Sequence, residues 1–177
     1  MNSFRAPMLA ALRDHPFISE MPASSLRRMA NHAYRAVFAP GESIFREGMP
    51  ADRFFLVRSG LVRLDMEVPG HGRVDLETVG ADAALGWSWL LAPYRWHLSA
   101  TAAERTSVLV LDASMMRALM AADPVLGYEM MRRFAAVMFD RLQATRTRCA
   151  DAGNVTLPEA AICGPWAGIR AMVPSLA

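Results

Sequence analysis

The residues of this 177-residue chain that are best equipped for chemistry lie close together, in the segment GWSWLLAPYRWHLSA at residues 86–100. Three of the four tryptophans of the chain fall in this segment, together with an arginine and a histidine. Aromatic faces can stack a planar or cationic ligand, and a guanidinium group can pair with a phosphate. The segment is therefore the candidate ligand site. The expected ligand-binding residues are Gly86, Trp87, Ser88, Trp89, Arg95, Trp96, His97 and Ser99.

Other chemistry is weakly represented in the sequence. We find no nucleophile with a neighbouring base, no Walker loop and no dinucleotide fingerprint, which favours a non-enzymatic protein. The four histidines are scattered and none stands at ligand spacing from a cysteine or carboxylate, so no metal site is expected. Two cysteines, Cys149 and Cys163, have the low density typical of reduced intracellular thiols. With no leader-like segment and no apolar span of about 20 residues, we expect a cytoplasmic protein without a membrane anchor.

The elements that would position the candidate site are short strands between glycine turns. Turn signals recur about every eight to twelve residues over residues 33–111. Gly41, Gly48 and Gly60 each stand where a strand must reverse, because glycine reaches positive φ without a steric penalty. The segments between them alternate or cluster apolar residues as half-buried strands do. The predicted strands include residues 43–45, 53–58, 61–66, 73–79 and 106–111.

A helical pattern precedes the predicted strands. Ser24 and Ser25 can cap a helix that carries Leu26 and Met29, since serine is a favoured capping residue. This pattern predicts a small helical cap within residues 1–33.

Two further helices are expected after the last strand. Asp112 or Ser114 can cap a short helix, which the Asp123-Pro124 pair stops. Proline is well tolerated at the start of a helix, and residues 124–150 therefore predict one long helix.

The long helix carries two apolar stripes. The first stripe has alternating spacings of three and four, the pattern of a helix that pairs with another helix, and it predicts a homodimer interface. Its members are Tyr128, Met131, Ala135, Met138 and Leu142. The neighbouring stripe of Leu126, Met130, Phe134 and Val137 would pack on the strands. The alternative is one wide core face in a monomer.

These patterns resemble the cyclic-nucleotide-binding domain of the cAMP receptor protein family over about residues 17–148. The resemblance is most specific in the run PGESIFREGMPADRFFLVRSGLVRL, which starts at Pro40. The matching positions are Gly41-Glu42, Glu47-Gly48, Pro50-Ala51-Asp52 and Ser59-Gly60, with Phe55 and Val57 at inward positions.

The resemblance implies a mainly β fold with α-helices. Its centre would be a double-stranded β-helix, a jelly-roll-like β-roll, at residues 34–112, flanked by N-terminal helices and a long C-terminal helix. Residues 1–150 would form this domain, with helices at residues 113–150 and a tail at residues 151–177.

The resemblance also implies where a nucleotide would bind. In that family, a glycine-glutamate pair opens a short helix and the glutamate accepts a hydrogen bond from the ribose, while an arginine about ten residues later pairs with the cyclic phosphate. Here Gly86 matches the glycine and Trp87 stands at the glutamate position. Trp96 or His97 falls near the arginine position, with Arg95 one or two places away.

Three interpretations of this segment stay open. Large apolar side chains can fill an unused pocket, or they can build a different pocket that stacks a small planar ligand. A cyclic nucleotide can also be held by altered contacts through Gly86, Ser88, Arg95 and Ser99. The prediction is a non-enzymatic sensor or regulatory module with an atypical aromatic pocket. The alternatives are a transcription regulator of the cAMP receptor protein type that acts through a partner, and a scaffold with a plugged pocket.

Direct DNA binding is not expected. Regulators of this family carry a helix-turn-helix of about seventy residues after the long helix, whereas residues 151–177 are few and contain several prolines and glycines. The net charge of +2 gives no general attraction to nucleic acid. The expected partners are a second copy of the chain, a small-molecule ligand and an unidentified protein.

Overall fold

The computed structural model describes residues 5–151. Four α-helices lie in this part of the chain: α1 (Arg5–Arg13), α2 (Ala23–Ala30), α3 (Ala113–Ala122) and α4 (Pro124–Asp151). Eight strands lie between the helix pairs: β1 (Ala33–Phe38), β2 (Ser43–Phe45), β3 (Arg53–Ser59), β4 (Val62–Val68), β5 (Gly72–Val79), β6 (Ala84–Leu85), β7 (Ser99–Ala102) and β8 (Thr106–Asp112). A 3₁₀ turn, Trp87–Leu90, follows β6.

The strands form two four-stranded antiparallel sheets. The first sheet has the order β1-β8-β3-β6, and the second has the order β2-β7-β4-β5. Each sheet therefore combines strands from distant parts of the sequence, as a β-roll requires. The predicted mainly β fold, with flanking helices and a long C-terminal helix, is confirmed.

Local signals placed most of the boundaries within one or two residues. The Asp112 side chain caps α3, since the Met115 amide donates to Oδ1 at 2.8 Å. The predicted serine caps of the N-terminal helix are wrong. Helix α2 already begins at Ala23, with Pro22 at its N-cap and no side-chain cap, so Ser24 and Ser25 lie inside the first turn.

An aromatic cluster joins the first sheet to the helices. Phe54 on β3 contacts Phe134 on α4 with ring centroids 5.2 Å apart, and Phe17 lies 4.9 Å from Phe134. The Arg133 guanidinium also donates to the Phe17 carbonyl at 3.0 Å. Burying such rings strongly favours the packed state. The start of α4 is thereby fixed to both the sheet and the N-terminal helical region.

The two sheets meet through aliphatic and aromatic side chains. Phe45 on β2 stacks on Phe55 of β3 at 5.7 Å, which joins the second sheet to the first. Leu64 and Ala100, paired neighbours on β4 and β7, are also buried. The inward face of the second sheet is therefore apolar.

The chain divides into two compact units. The first unit ends at Val137 and the second begins at Met138. In the second unit the described residues are helical as far as Asp151. The predicted tail beyond that residue lies outside the described residues. No helix in the described part combines the length and the apolar character needed to span a membrane.

His15 is a buried polar link between the N-terminal region and β3. Its Nε2 lies 3.1 Å from the Val57 carbonyl oxygen, and the Phe17 amide donates to Nδ1 at 3.3 Å. These partners fit a neutral ring that donates through Nε2 and accepts at Nδ1. Burial lowers the pKa of His15, and the hydrogen bond to Val57 opposes this shift in part.

The lowered pKa of His15 predicts a loss of stability in mild acid. The unfolded chain binds a proton at His15 below about pH 6.5, whereas the folded chain resists it, so the free energy of unfolding decreases as the pH falls through this region. The contribution is at most about 1.4 kcal/mol per pH unit. Urea unfolding of the His15→Gln variant between about pH 7 and pH 5 is expected to show a shallower dependence than the native chain. The exposed His71→Gln variant is the control, and an unchanged slope in His15→Gln would contradict the assignment.

Candidate functional site

The candidate site begins at a left-handed glycine. Gly86 follows β6 with φ 78° and ψ 66°, and the 3₁₀ turn Trp87–Leu90 starts directly after it. Leu91 is extended and ends the turn. The helical element after the glycine is thus a single short turn.

The Trp96 indole lies directly against Gly86. A Cβ atom built on Gly86 would lie 2.6 Å from Cζ3 of Trp96 and 2.8 Å from Cη2. The indole is only 4% exposed and stacks on Phe45, with centroids 4.1 Å apart and planes inclined by 18°. Phe55 lies 6.2 Å away on another side of the indole. The space next to Gly86 is therefore occupied by an aromatic side chain of the protein itself.

Backbone hydrogen bonds hold Trp96 in this position. Its amide donates to the Met49 carbonyl at 2.9 Å, and its carbonyl accepts from the Gly48 amide at 2.8 Å. The Ala51 amide donates to the Tyr94 carbonyl at 2.7 Å. The loop after β2 thus fixes the segment that carries the indole.

Trp89 lies in the aromatic core. It is 0% exposed, and its ring contacts Phe54 at 5.7 Å and Phe134 at 5.9 Å. Its Nε1 has no hydrogen-bond partner among the described residues, and the Arg117 guanidinium donates to its carbonyl oxygen at 2.9 Å. Neither face of this ring is exposed to a ligand.

Ser88 and His97 connect the two ends of the segment. The Ser88 hydroxyl lies 3.0 Å from Nδ1 of His97, and the His97 amide donates to the same hydroxyl at 3.4 Å. Ser88 is buried and His97 is half-buried. This pair braces the loop against the 3₁₀ turn.

The Arg95 side chain is exposed and engaged with the protein. Its Nη1 donates to the Gly48 carbonyl at 2.7 Å, next to the bridge between Arg95 and Pro50. Tyr94 is exposed beside it, with the Arg117 guanidinium 4.3 Å above the ring. Trp87, at the position where the resemblance implies a glutamate, is half-exposed.

The structure therefore separates the eight expected site residues. Gly86 and Trp96 are in contact, Ser88 is bonded to His97, and Trp89 belongs to the core. Ser99 accepts from the Glu47 amide at 3.1 Å and stands on β7. Sequence reasoning did not assign Phe45 to the site. Its only signal was an apolar residue at the end of β2.

The expected dimer stripe of α4 is largely exposed. In the first unit, Tyr128 is 68% exposed, and Met131 and Ala135 are also exposed. In the second unit, Met138 is half-exposed and Leu142 is exposed. In the neighbouring stripe, Leu126, Met130 and Phe134 are buried in the first unit and Val137 is half-buried.

Comparison with known proteins identifies the family. The family model of the cyclic nucleotide-binding domain matches residues 35–123, and the chain belongs to this family. A CRP-like cAMP-activated global transcriptional regulator of Mycobacterium tuberculosis is 29% identical over 115 residues, which is 64% of this chain and 49% of that protein. The chain thus spans about half the length of the curated relatives it matches.

Two solved structures share the fold. A putative cyclic nucleotide-binding protein from Geobacter metallireducens GS-15 has a TM-score of 0.68 and 26% identity, covering 75% of this chain and 96% of that chain. A cyclic nucleotide-binding domain from Methylobacillus flagellatus KT has a TM-score of 0.70 and 19% identity, covering 87% and 86% of the two chains. The β-roll of this chain is therefore the fold of the family.

The contact between Gly86 and Trp96 predicts an unequal cost for alanine at two glycines of identical φ. Gly48 also has φ 78°, but nothing lies within 4 Å of a Cβ atom built there. Gly48→Ala is expected to cost about 1–2 kcal/mol through its left-handed backbone. Gly86→Ala must also displace Trp96 and is expected to cost at least about 1 kcal/mol more. Urea unfolding of both variants measures the difference, and equal losses would show that Trp96 does not press on Gly86.

Proposed function

We propose that this chain is a non-enzymatic regulatory module of the cyclic nucleotide-binding family whose ligand site is filled by its own Trp96 side chain. The observation that supports this function is the contact of the buried indole with Gly86 and its stacking on Phe45. In this family, the glycine that Gly86 matches introduces the nucleotide site. A ligand at that position must therefore displace Trp96.

The residues that would hold the ribose and the phosphate of a cyclic nucleotide also differ from those of the family. An indole at Trp87 cannot accept the ribose hydroxyl that a carboxylate would hold. Arg95 is engaged with the Gly48 carbonyl, and a phosphate would have to compete with this hydrogen bond. The module is therefore proposed to act without a cyclic nucleotide in the roll.

The free-energy cost of opening the site is large. A tryptophan side chain buries about 150–250 Å², and at about 25 cal/mol per Å² its exposure costs roughly 4–6 kcal/mol. A ligand that must displace this side chain loses about three to four powers of ten in affinity. Ordinary intracellular ligand concentrations would not overcome such a penalty without new compensating contacts.

Calorimetry with cAMP and cGMP tests the filled site. We expect no saturable binding of either nucleotide to the native chain at concentrations up to about 1 mM. Trp96→Ala should lose about 3–5 kcal/mol of stability by leaving a cavity. Added indole should then raise the melting temperature of Trp96→Ala, because it refills that cavity.

Trp87→Ala is the matched control for the indole experiment. Trp87 is half-exposed, so its removal should leave no enclosed cavity and indole should give no comparable rise. Tight binding of cAMP or cGMP to the native chain would contradict the proposal directly.

We further propose that the module forms a homodimer through the stripe Tyr128, Met131, Ala135, Met138 and Leu142. The support is the spacing of these residues along α4 together with the exposure of large apolar side chains. A second copy with the same stripe is self-complementary, as a two-fold interface requires.

Charge placed in the stripe should separate the dimer. Tyr128→Glu and Leu142→Glu are each expected to give a monomer, because a carboxylate in an apolar seam must be desolvated without a partner. Ala144→Glu adds the same charge two residues after Leu142, on the opposite side of the helix, and should remain dimeric. Sedimentation velocity at micromolar protein measures the state. A native chain that sediments as a monomer would refute the interface.

A further inference from the structure

The outward face of the second sheet carries a polar groove that is separate from Trp96. Strand register places Arg63 opposite Thr101, and Asp65 opposite Ser99. Their neighbours Leu64 and Ala100 are buried on the inward face, and side chains alternate along a strand. The groove therefore opens on the side of the sheet away from the apolar interior.

One part of the groove is a cavity of about 310 Å³ lined by arginines and hydroxyls. Three guanidinium groups line it, and no acidic side chain does. Its polar lining residues are Ser43, Arg46, Arg63, Arg73, Ser99 and Thr101. A phosphate inside the cavity could accept charge-assisted hydrogen bonds from these guanidinium groups.

Ion pairs orient two of these arginines and leave donors for a ligand. Arg63 Nε lies 3.4 Å from Asp75 Oδ1, and Arg73 Nε lies 3.1 Å from Asp65 Oδ1. Both ion pairs involve Nε, although Arg63 Nε makes no hydrogen bond of good geometry with the described residues, and the terminal nitrogens of both side chains are able to donate. The Arg46 side chain has no ion pair with any described residue and is exposed at the rim. A guanidinium group can donate two parallel hydrogen bonds to a phosphate.

The adjoining part of the groove carries acidic side chains in addition to arginines. A second cavity of about 300 Å³ shares Arg46, Arg73 and Ser99 with the first, and its acidic lining residues are Glu47, Asp65 and Glu67. Asp65 is only 1% exposed, and its carboxylate oxygens have no hydrogen bond of good geometry despite the nearby Arg73. A buried carboxylate is expensive unless donors satisfy it. Hydroxyl groups of a ligand would supply such donors.

We propose that this groove binds a phosphorylated polyhydroxy small molecule, of which a sugar phosphate is the simplest example. The phosphate lies among Arg46, Arg63 and Arg73, and a hydroxyl of the ligand donates to Asp65. The two cavities share three residues and together have room for a ligand of this size. This site is distinct from the filled interior of the roll.

Calorimetry of the full chain with ribose 5-phosphate, inorganic phosphate and ribose tests the proposal. Ribose 5-phosphate is expected to bind about tenfold more tightly than inorganic phosphate, and ribose alone is not expected to bind. Arg46→Ala should weaken both phosphates by at least about tenfold. Asp65→Asn should remove only the advantage of ribose 5-phosphate over inorganic phosphate.

Arg105→Ala is the matched control. Arg105 is exposed in the turn between β7 and β8, so its removal changes the net charge equally and should leave both affinities unchanged. Equal weakening by Arg46→Ala and Arg105→Ala would show general charge attraction and would overturn the site. Absence of saturable ribose 5-phosphate binding at millimolar concentration would overturn it too. Arg46 makes no ion pair with the described residues, so Arg46→Ala is expected to fold. The comparison of Arg46→Ala with Arg105→Ala therefore tests the site even if Asp65→Asn fails to fold.

Discussion

The contact between the Trp96 indole and Gly86 constrains both the backbone after β6 and the side chains that surround the indole. The glycine needs its left-handed conformation to end β6, and the indole can approach the backbone this closely only because Gly86 has no side chain. Phe45 and Phe55 then enclose the ring, and hydrogen bonds to the loop after β2 hold its backbone. The space next to Gly86 is thus part of the packed interior.

The two sheets of the roll differ in the side chains on their outward faces. The first sheet is covered by an aromatic cluster that includes Phe54, Trp89 and Phe134, and this packing supports the fold. The second sheet has an apolar inward face and a charged outward face, where Arg73 and Asp65 meet. The outward face of the second sheet is therefore polar, in contrast to its inward face.

The sequence could predict the strands and helices because their signals are local, while the roll itself was implied by the resemblance to the cyclic-nucleotide-binding family. Glycine turns and apolar alternation placed β2 at residues 43–45 and began α4 at Pro124, as the structure has them. The serine N-caps were predicted wrongly because the intrinsic capping preference of serine gave way to a helix that already begins at Ala23, with Pro22 at its N-cap. Local preferences are weak compared with the packing of a whole helix.

The site was harder to predict because its contacts join distant residues. Nothing near Trp89 and Trp96 in the sequence distinguishes the ring that meets Phe134 from the ring that meets Phe45. The groove could not be predicted either, since the pairing of Arg63 with Thr101 and of Asp65 with Ser99 depends on strand register rather than on composition.

The attachment of α4 to the N-terminal region has a mechanical consequence. The Arg133 guanidinium donates to the Phe17 carbonyl, and Phe134 packs on the Phe17 ring. Two consecutive residues of α4 therefore contact both the backbone and the side chain of Phe17. A rotation of the start of α4 would therefore also move Phe17 and the neighbouring His15, whose ring is hydrogen-bonded to Val57. A rotation of the start of α4 would thus reach β3 by two routes, directly through the contact of Phe134 with Phe54 and indirectly through the hydrogen bond of His15 to Val57.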